Sequence, residues 1–148
     1  MSVALLTNNL RWGRALTLLP WDSPSPRPEG RRCFLVEGSP LAVFLAGRSL
    51  LHAGWRLLNH PLYGNFRPHQ QPYRSLIWRF EGADPGRQAA YAWSLRLFEE
   101  ALALYLSSKV LSPAQAPPAL RDACALLDCE LLRLTLEQAG WPEAVPAA

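Results

Sequence analysis

Two of the chain's three histidines, His60 and His69, fall in one stretch, residues 59–75, together with Arg67, Arg74, Tyr63, Tyr73, Pro61, Pro68 and Pro72. Histidine titrates near neutrality unaided, so His60 and His69 are the natural acid/base or metal candidates, and a small hydrolase or transferase would use His60 as general acid/base with Arg67 or Arg74 stabilising an anion. The plainer reading makes His60 a structural or substrate-positioning residue and His69 a solvated loop residue. Their spacing fits no zinc pattern, and no cysteine stands near in sequence to complete one, so no metal site is expected. His52 reads as a helix-end residue favoured by the C-terminal dipole.

Arg56, Arg67 and Arg74 can form a fork for a carboxylate or phosphate. An equally open reading has Arg56 facing solvent from a strand and Arg67 pinning the loop to a carbonyl. Ser39 at a helix start can present N–H groups to an anion, though most such serines only cap. Among nucleophiles, Ser75 lacks a G-x-S-x-G context, and Cys33 lies inside a strand expected to be buried. Cys124 and Cys129 are roughly 140° apart around a helix at about 100° per residue, so they do not share a face. Neither G-x-G-x-x-G nor G-x-x-x-x-G-K-[ST] occurs, and no cofactor is expected.

These residues need a scaffold, and the apolar pattern supplies one. Val3 to Leu6 is a short apolar run stopped by Thr7-Asn8-Asn9, as for a strand buried on both faces. Asn8 or Asn9 then caps a weak helical stripe through Leu10, Ala15, Leu16 and Leu19, which Pro20 ends. Residues 21–30 form a Pro/Ser-rich surface insert. Arg32 to Glu37 is a second strand. Ser39 and Pro40 open a helix that runs to about Ala53, Gly54 stops it, and Trp55 to Leu58 is a third strand. Strand, helix, glycine, strand is the βαβ order.

After the histidine–proline loop, Arg74 to Phe80 is a fourth strand. Glu81 to Asp84 turns, Asp84 caps, and Pro85 opens a long helix to about Ser107 with Tyr91, Leu95, Phe98, Leu102 and Tyr105 on one face. Residues 112–118 are a Pro/Ala-rich connector. The last helix runs from Ala119 to about Ala139, with Leu120, Leu127, Leu131 and Leu134 expected inward. The fold class expected is α/β: one domain over residues 1–148, a small three-layer-like sandwich with a mostly parallel sheet of three or four strands and two C-terminal helices.

Parallel strands would bring Thr7-Asn8-Asn9, Glu37-Gly38-Ser39 and Asn59-His60-Pro61 to one edge of the sheet, where open α/β sheets bind ligands. The expected ligand site is therefore Asn8, Asn9, Glu37, Ser39, Asn59, His60, Arg67 and Arg74. Its expected ligand is a small carboxylate or phosphate.

Fifteen basic residues against twelve acidic ones give a net charge of +3, and the densest basic run is only Arg31-Arg32, so no nucleic-acid footprint is expected. Tyr63, Phe66 and Tyr73 offer instead a candidate protein-facing surface. No run of about 18 apolar residues appears, which argues against a membrane helix. The apolar start has no basic residue ahead of it, which argues against a secretory signal. Three cysteines without C-x-x-C spacing fit reduced thiols in the cytoplasm.

From Leu51 through Asn65 the chain resembles the GrdX family, and the likeness continues in Phe66-Arg67-Pro68 and Pro72-Tyr73-Arg74-Ser75. Thr7-Asn8-Asn9, Val36-Glu37-Gly38, and Asp128 with Glu130-Leu131-Leu132 add to it. The chain departs from the pattern in residues 21–30 and in His69-Gln70-Gln71. The resemblance implies a small cytoplasmic α/β protein associated with the glycine, sarcosine and betaine reductase systems of amino-acid-fermenting anaerobes. It carries no assigned reaction. Three expectations result: an accessory or small-ligand-binding protein of that metabolism, which could be a component of a reductase complex; a small hydrolase or transferase using His60; or a pure interaction module.

Overall fold

In the computed structural model, which describes residues 2–22, 30–80 and 88–147, side chains alternate cleanly along the two central strands. Ala4 and Leu6 of β1 (Ser2–Thr7) and Leu76 and Trp78 of β5 (Ser75–Phe80) face one core, while Val3, Leu5 and Ile77 face the other. A strand covered on both faces must be apolar at every step, which explains the unbroken runs in the sequence.

On the first face lie α1 (Pro40–His52) and α2 (Gln88–Leu106), which contribute Val43, Phe44, Leu50, Phe98, Leu102 and Tyr105. Helix α1 comes so close to the sheet that a Cβ on Gly47 would stand 2.8 Å from the Trp78 ring. On the second face lie α3 (Pro118–Leu131), α4 (Arg133–Gln138) and the segment after them, packing Cys129, Leu132, Leu136, Trp141 and Val145 onto the strands. The arrangement is a three-layer α/β sandwich.

Among the described residues the sheet has five strands in the order β2-β3-β1-β5-β4, where β2 is Leu18–Pro20, β3 is Arg31–Leu35 and β4 is Trp55–Leu57. It is mixed, which corrects the expectation of a mostly parallel sheet of three or four strands. Pairs β1–β3 and β2–β3 are parallel, whereas β5 runs antiparallel to both β1 and β4. Strands β3 and β4, joined by α1, point the same way but do not pair, because β1 and β5 lie between them. An apolar run carries no mark of strand direction, and the long connection from β4 to β5 reverses the chain.

The extra strand replaces an expected helix. Asn9 does cap, accepting from the Arg11 N–H, but it opens only a 3₁₀ turn, Leu10–Arg14, before the chain extends into β2. Pro20 sits on this edge strand, where its missing N–H is tolerated.

The last helix breaks at Leu132, and its expected buried face is corrected too. Leu120, Leu127, Leu131 and Leu134 are 44%, 40%, 41% and 65% exposed, while Cys124, Ala125, Asp128 and Cys129 turn inward. On α2, Phe98, Leu102 and Tyr105 are buried as expected, and Tyr91 at its start is 38% exposed. Most of the 21–30 insert, and the turn and cap at Glu81 to Asp84 with Pro85, lie outside the described residues.

Candidate functional site

Because β1, β3 and β4 share one direction, their carboxyl ends meet on one edge, and antiparallel β5 begins there. Thr7 and Ser75 are paired across that edge on the α3 side, so a helix docking there meets hydroxyls instead of methyls. Asp128 of α3 descends onto them and is fully buried. Its Oδ2 accepts from Ser75 Oγ at 2.7 Å and Asn9 Nδ2 at 3.0 Å, and its Oδ1 accepts from the Tyr63 hydroxyl.

The directions of these bonds form a chain. Thr7 Oγ1 accepts from the Asn9 N–H at 2.9 Å, Ser75 Oγ accepts from Trp12 Nε1 at 3.0 Å, and the Tyr63 hydroxyl accepts from the Ser75 N–H at 2.6 Å. With the Ser75 proton committed to Asp128, Thr7 Oγ1 donates to Ser75 across 2.7 Å. Burial pushes the Asp128 carboxyl above the ordinary range, against the hydrogen bonds of Tyr63, Asn9 and Ser75 and the charge of Arg74. Burial likewise pushes the Tyr63 phenol well up, with the Asp128 charge adding to it.

Arg74, also fully buried, points to the opposite face. Its Nε donates to the Tyr105 hydroxyl at 2.8 Å, its Nη1 to the Tyr63 carbonyl at 2.7 Å, and its guanidinium lies 4.5 Å from the centre of the Tyr63 ring. Tyr63 is therefore held between a carboxylate and a guanidinium. Burial works against the Arg74 charge, but Tyr63, Tyr105 and Asp128 outweigh it and raise its pKa.

The asparagines serve as backbone substitutes at the same edge. Asn8 donates to the Gly38 and Pro72 carbonyls and accepts from the Arg74 N–H. Asn59 extends the ladder past the end of β4, donating to the Ser75 carbonyl and accepting from the Ile77 N–H. Gly64, at φ +81°, lets the loop turn beneath Leu131, whose Cδ1 would meet a Cβ there at 2.9 Å.

Of the residues expected at a ligand site, Asn8, Asn9, Asn59 and Arg74 are thus brought together, buried and bonded to other protein groups. Glu37, His60 and Arg67 are exposed, and Ser39 is half-buried at the N-cap of α1, with no side-chain capping bond. His60 Nδ1 accepts from the Leu62 N–H at 3.0 Å, and among the described residues no carboxylate pairs with it. His69, His52 and Arg56 are exposed. Tyr73 is buried and Phe66 half-buried.

A family model described as GrdX-like protein matches residues 27–137. The chain belongs to the GrdX-like family. No match was found among curated proteins or among solved structures.

In this GrdX-like chain the outer side of the loop borders an open cleft of about 380 Å³, lined by Leu62, Asn65, Phe66, Arg67, Pro68, Leu104 and Ser108. The loop is tied down at its far end by the Leu111 N–H on the Pro68 carbonyl. Among the described residues no group of three or more His, Cys, Asp or Glu could hold a metal ion, and no helix is long and apolar enough to cross a membrane. The three cysteines are buried and unpaired, and burial pushes the Cys33 thiol up to about 12.

Sequence reasoning missed the roles of Asp128, Tyr63, Tyr105 and Trp12. A signal was present for the first: Asp128 shares its helix face with small residues, Cys124 and Ala125, which suit close docking on a polar partner.

Proposed function

We propose that this GrdX-like protein is a small-ligand-binding accessory protein of the amino-acid (glycine, sarcosine or betaine) reductase metabolism that the family name suggests, acting in the cytoplasm. The observation that carries this reading is the fixed loop. Asp128 and Arg74 grip Tyr63 from both sides and the Leu111 N–H holds the Pro68 carbonyl, so both ends of the wall segment are anchored beside the open cleft against α2. Preorganised walls of this kind lower the ordering cost of binding. A ligand there meets Leu62, Phe66 and Leu104 as apolar lining and Arg67 as a cation.

Acid/base chemistry at His60 has less support, because its Nδ1 is occupied by a backbone N–H and among the described residues no carboxylate orients it. Titration calorimetry with glycine, acetyl phosphate and inorganic phosphate, alongside co-purification of reductase components, tests the reading. Binding of one of these or capture of a component supports it; silence in both arms overturns it.

A further inference from the structure

Behind the walls of the cleft, Arg74 is a cation with no counter-ion among the described residues. Arg74 is completely buried, and among the described residues no carboxylate stands within ion-pairing distance of it; its link to Asp128 runs through Tyr63. Its Nε and Nη1 are spent on Tyr105 and Tyr63, while Nη2 finds no acceptor. A guanidinium does not lose its proton in a protein, so burial leaves a full charge with both N–H groups of Nη2 unpaired. Such an arrangement is costly unless something completes it.

Its position connects it to the cleft. Arg74 does not itself line the cleft, but it bonds Tyr63 of the loop and Tyr105 of α2, the sequence neighbours of the lining residues Leu62 and Leu104, and so ties the two walls together on their buried side. We infer that the cleft is a site for a small carboxylate, one oxygen of which is received by Nη2 of Arg74, with Arg67 at the rim and the carbon skeleton against Leu62, Phe66 and Leu104. The inference rests on the ligand-binding reading above and adds the anchor and the charge class.

The class comes from the donor count. The two N–H groups of Nη2 are taken up by a single carboxylate and leave a phosphate, with its larger set of acceptors, under-satisfied. Nη2 is closed off from solvent, so the ligand enters by parting the loop from α2. The wall segment between the Tyr63 and Pro68 ties, Gly64 to Arg67, is exposed or half-buried and is the part that the incoming ligand must displace.

Calorimetry on the full chain with two isostere pairs, glycine against glycinamide and butyrate against butyramide, and with inorganic phosphate, tests this. At least one carboxylate should bind, with its amide and phosphate weaker by about tenfold or more, equivalent to ~1.4 kcal/mol. Arg67→Gln should weaken the carboxylate severalfold, and Arg74→Gln should abolish binding with a native circular-dichroism spectrum. Should Arg74→Gln fail to fold, the isostere pairs decide alone. An amide that binds as well as its acid, a folded Arg74→Gln that binds like the parent, or silence toward both carboxylates overturns the anchor. Binding of phosphate or an amide without charge preference overturns the anchor while leaving the ligand-binding reading in place.

Discussion

Helices α2 and α3 flank the same sheet but bury opposite kinds of face. Helix α2 turns Phe98, Ala101, Leu102 and Tyr105 inward, whereas α3 turns in Cys124, Ala125, Asp128 and Cys129 and leaves Leu127 and Leu131 about two-fifths exposed. The difference lies in what each helix meets. Helix α2 lies on Leu76, Trp78 and Phe44, where apolar area decides the fit. Helix α3 crosses the sheet edge at Thr7, Asn9 and Ser75, where hydrogen bonds must be completed, and a carboxylate between small side chains fits better than leucine.

The contrast can be broken from either side. Phe98→Ala should cost the most, about 3–5 kcal/mol in chemical denaturation, because it removes a ring from the Phe44, Trp78 and Tyr105 cluster. Asp128→Asn should cost about 2–3 kcal/mol, since an amide cannot accept from Tyr63, Ser75 and Asn9 together. The exposed leucines bound the lower end. Leu134→Gln should stay within about 0.5 kcal/mol of the parent, because it opens no cavity and strands no buried polar group.

Titration sharpens the comparison further. The folded pKa of Asp128 is raised, so between the ordinary carboxylate value and the folded one the native state holds the extra proton. Its contribution is present below the unfolded pKa and is lost as pH rises through the folded pKa, with a slope of at most about 1.4 kcal/mol per pH unit. Denaturation midpoints measured upward from acidic pH should show this decline in the parent and in Phe98→Ala, and a flatter profile in Asp128→Asn.

Much of this fold is legible in the sequence. Ser39-Pro40 and Gly54 bracket α1 correctly, and the apolar runs at Val3 and Leu76 mark strands covered on both sides. Strand direction was not legible, because β5 looks the same read either way. Nor was β2, three residues long and beside a weak helical pattern. The stripe Leu120, Leu127, Leu131 and Leu134 misled for a physical reason: helical periodicity reports the apolar face, and that face goes inward only when its partner is apolar.

At the sheet edge, the sequence singled out Asn8, Asn9 and Asn59, which do come together there, their short amides substituting for backbone. It drew attention to His60, yet the residue that fixes the loop is Tyr63, whose partner Asp128 lies 65 positions away. Such a long-range hydrogen bond leaves no local pattern at Tyr63, and only the small neighbours Cys124 and Ala125 at Asp128 hint at it.

Asp128 holds the histidine–proline loop on the sheet edge through Tyr63. A double-mutant cycle on Tyr63→Phe and Asp128→Asn, read by chemical denaturation, tests it most directly. A coupling of about 1–3 kcal/mol is the predicted result, whereas additivity within about 0.5 kcal/mol would contradict the claim.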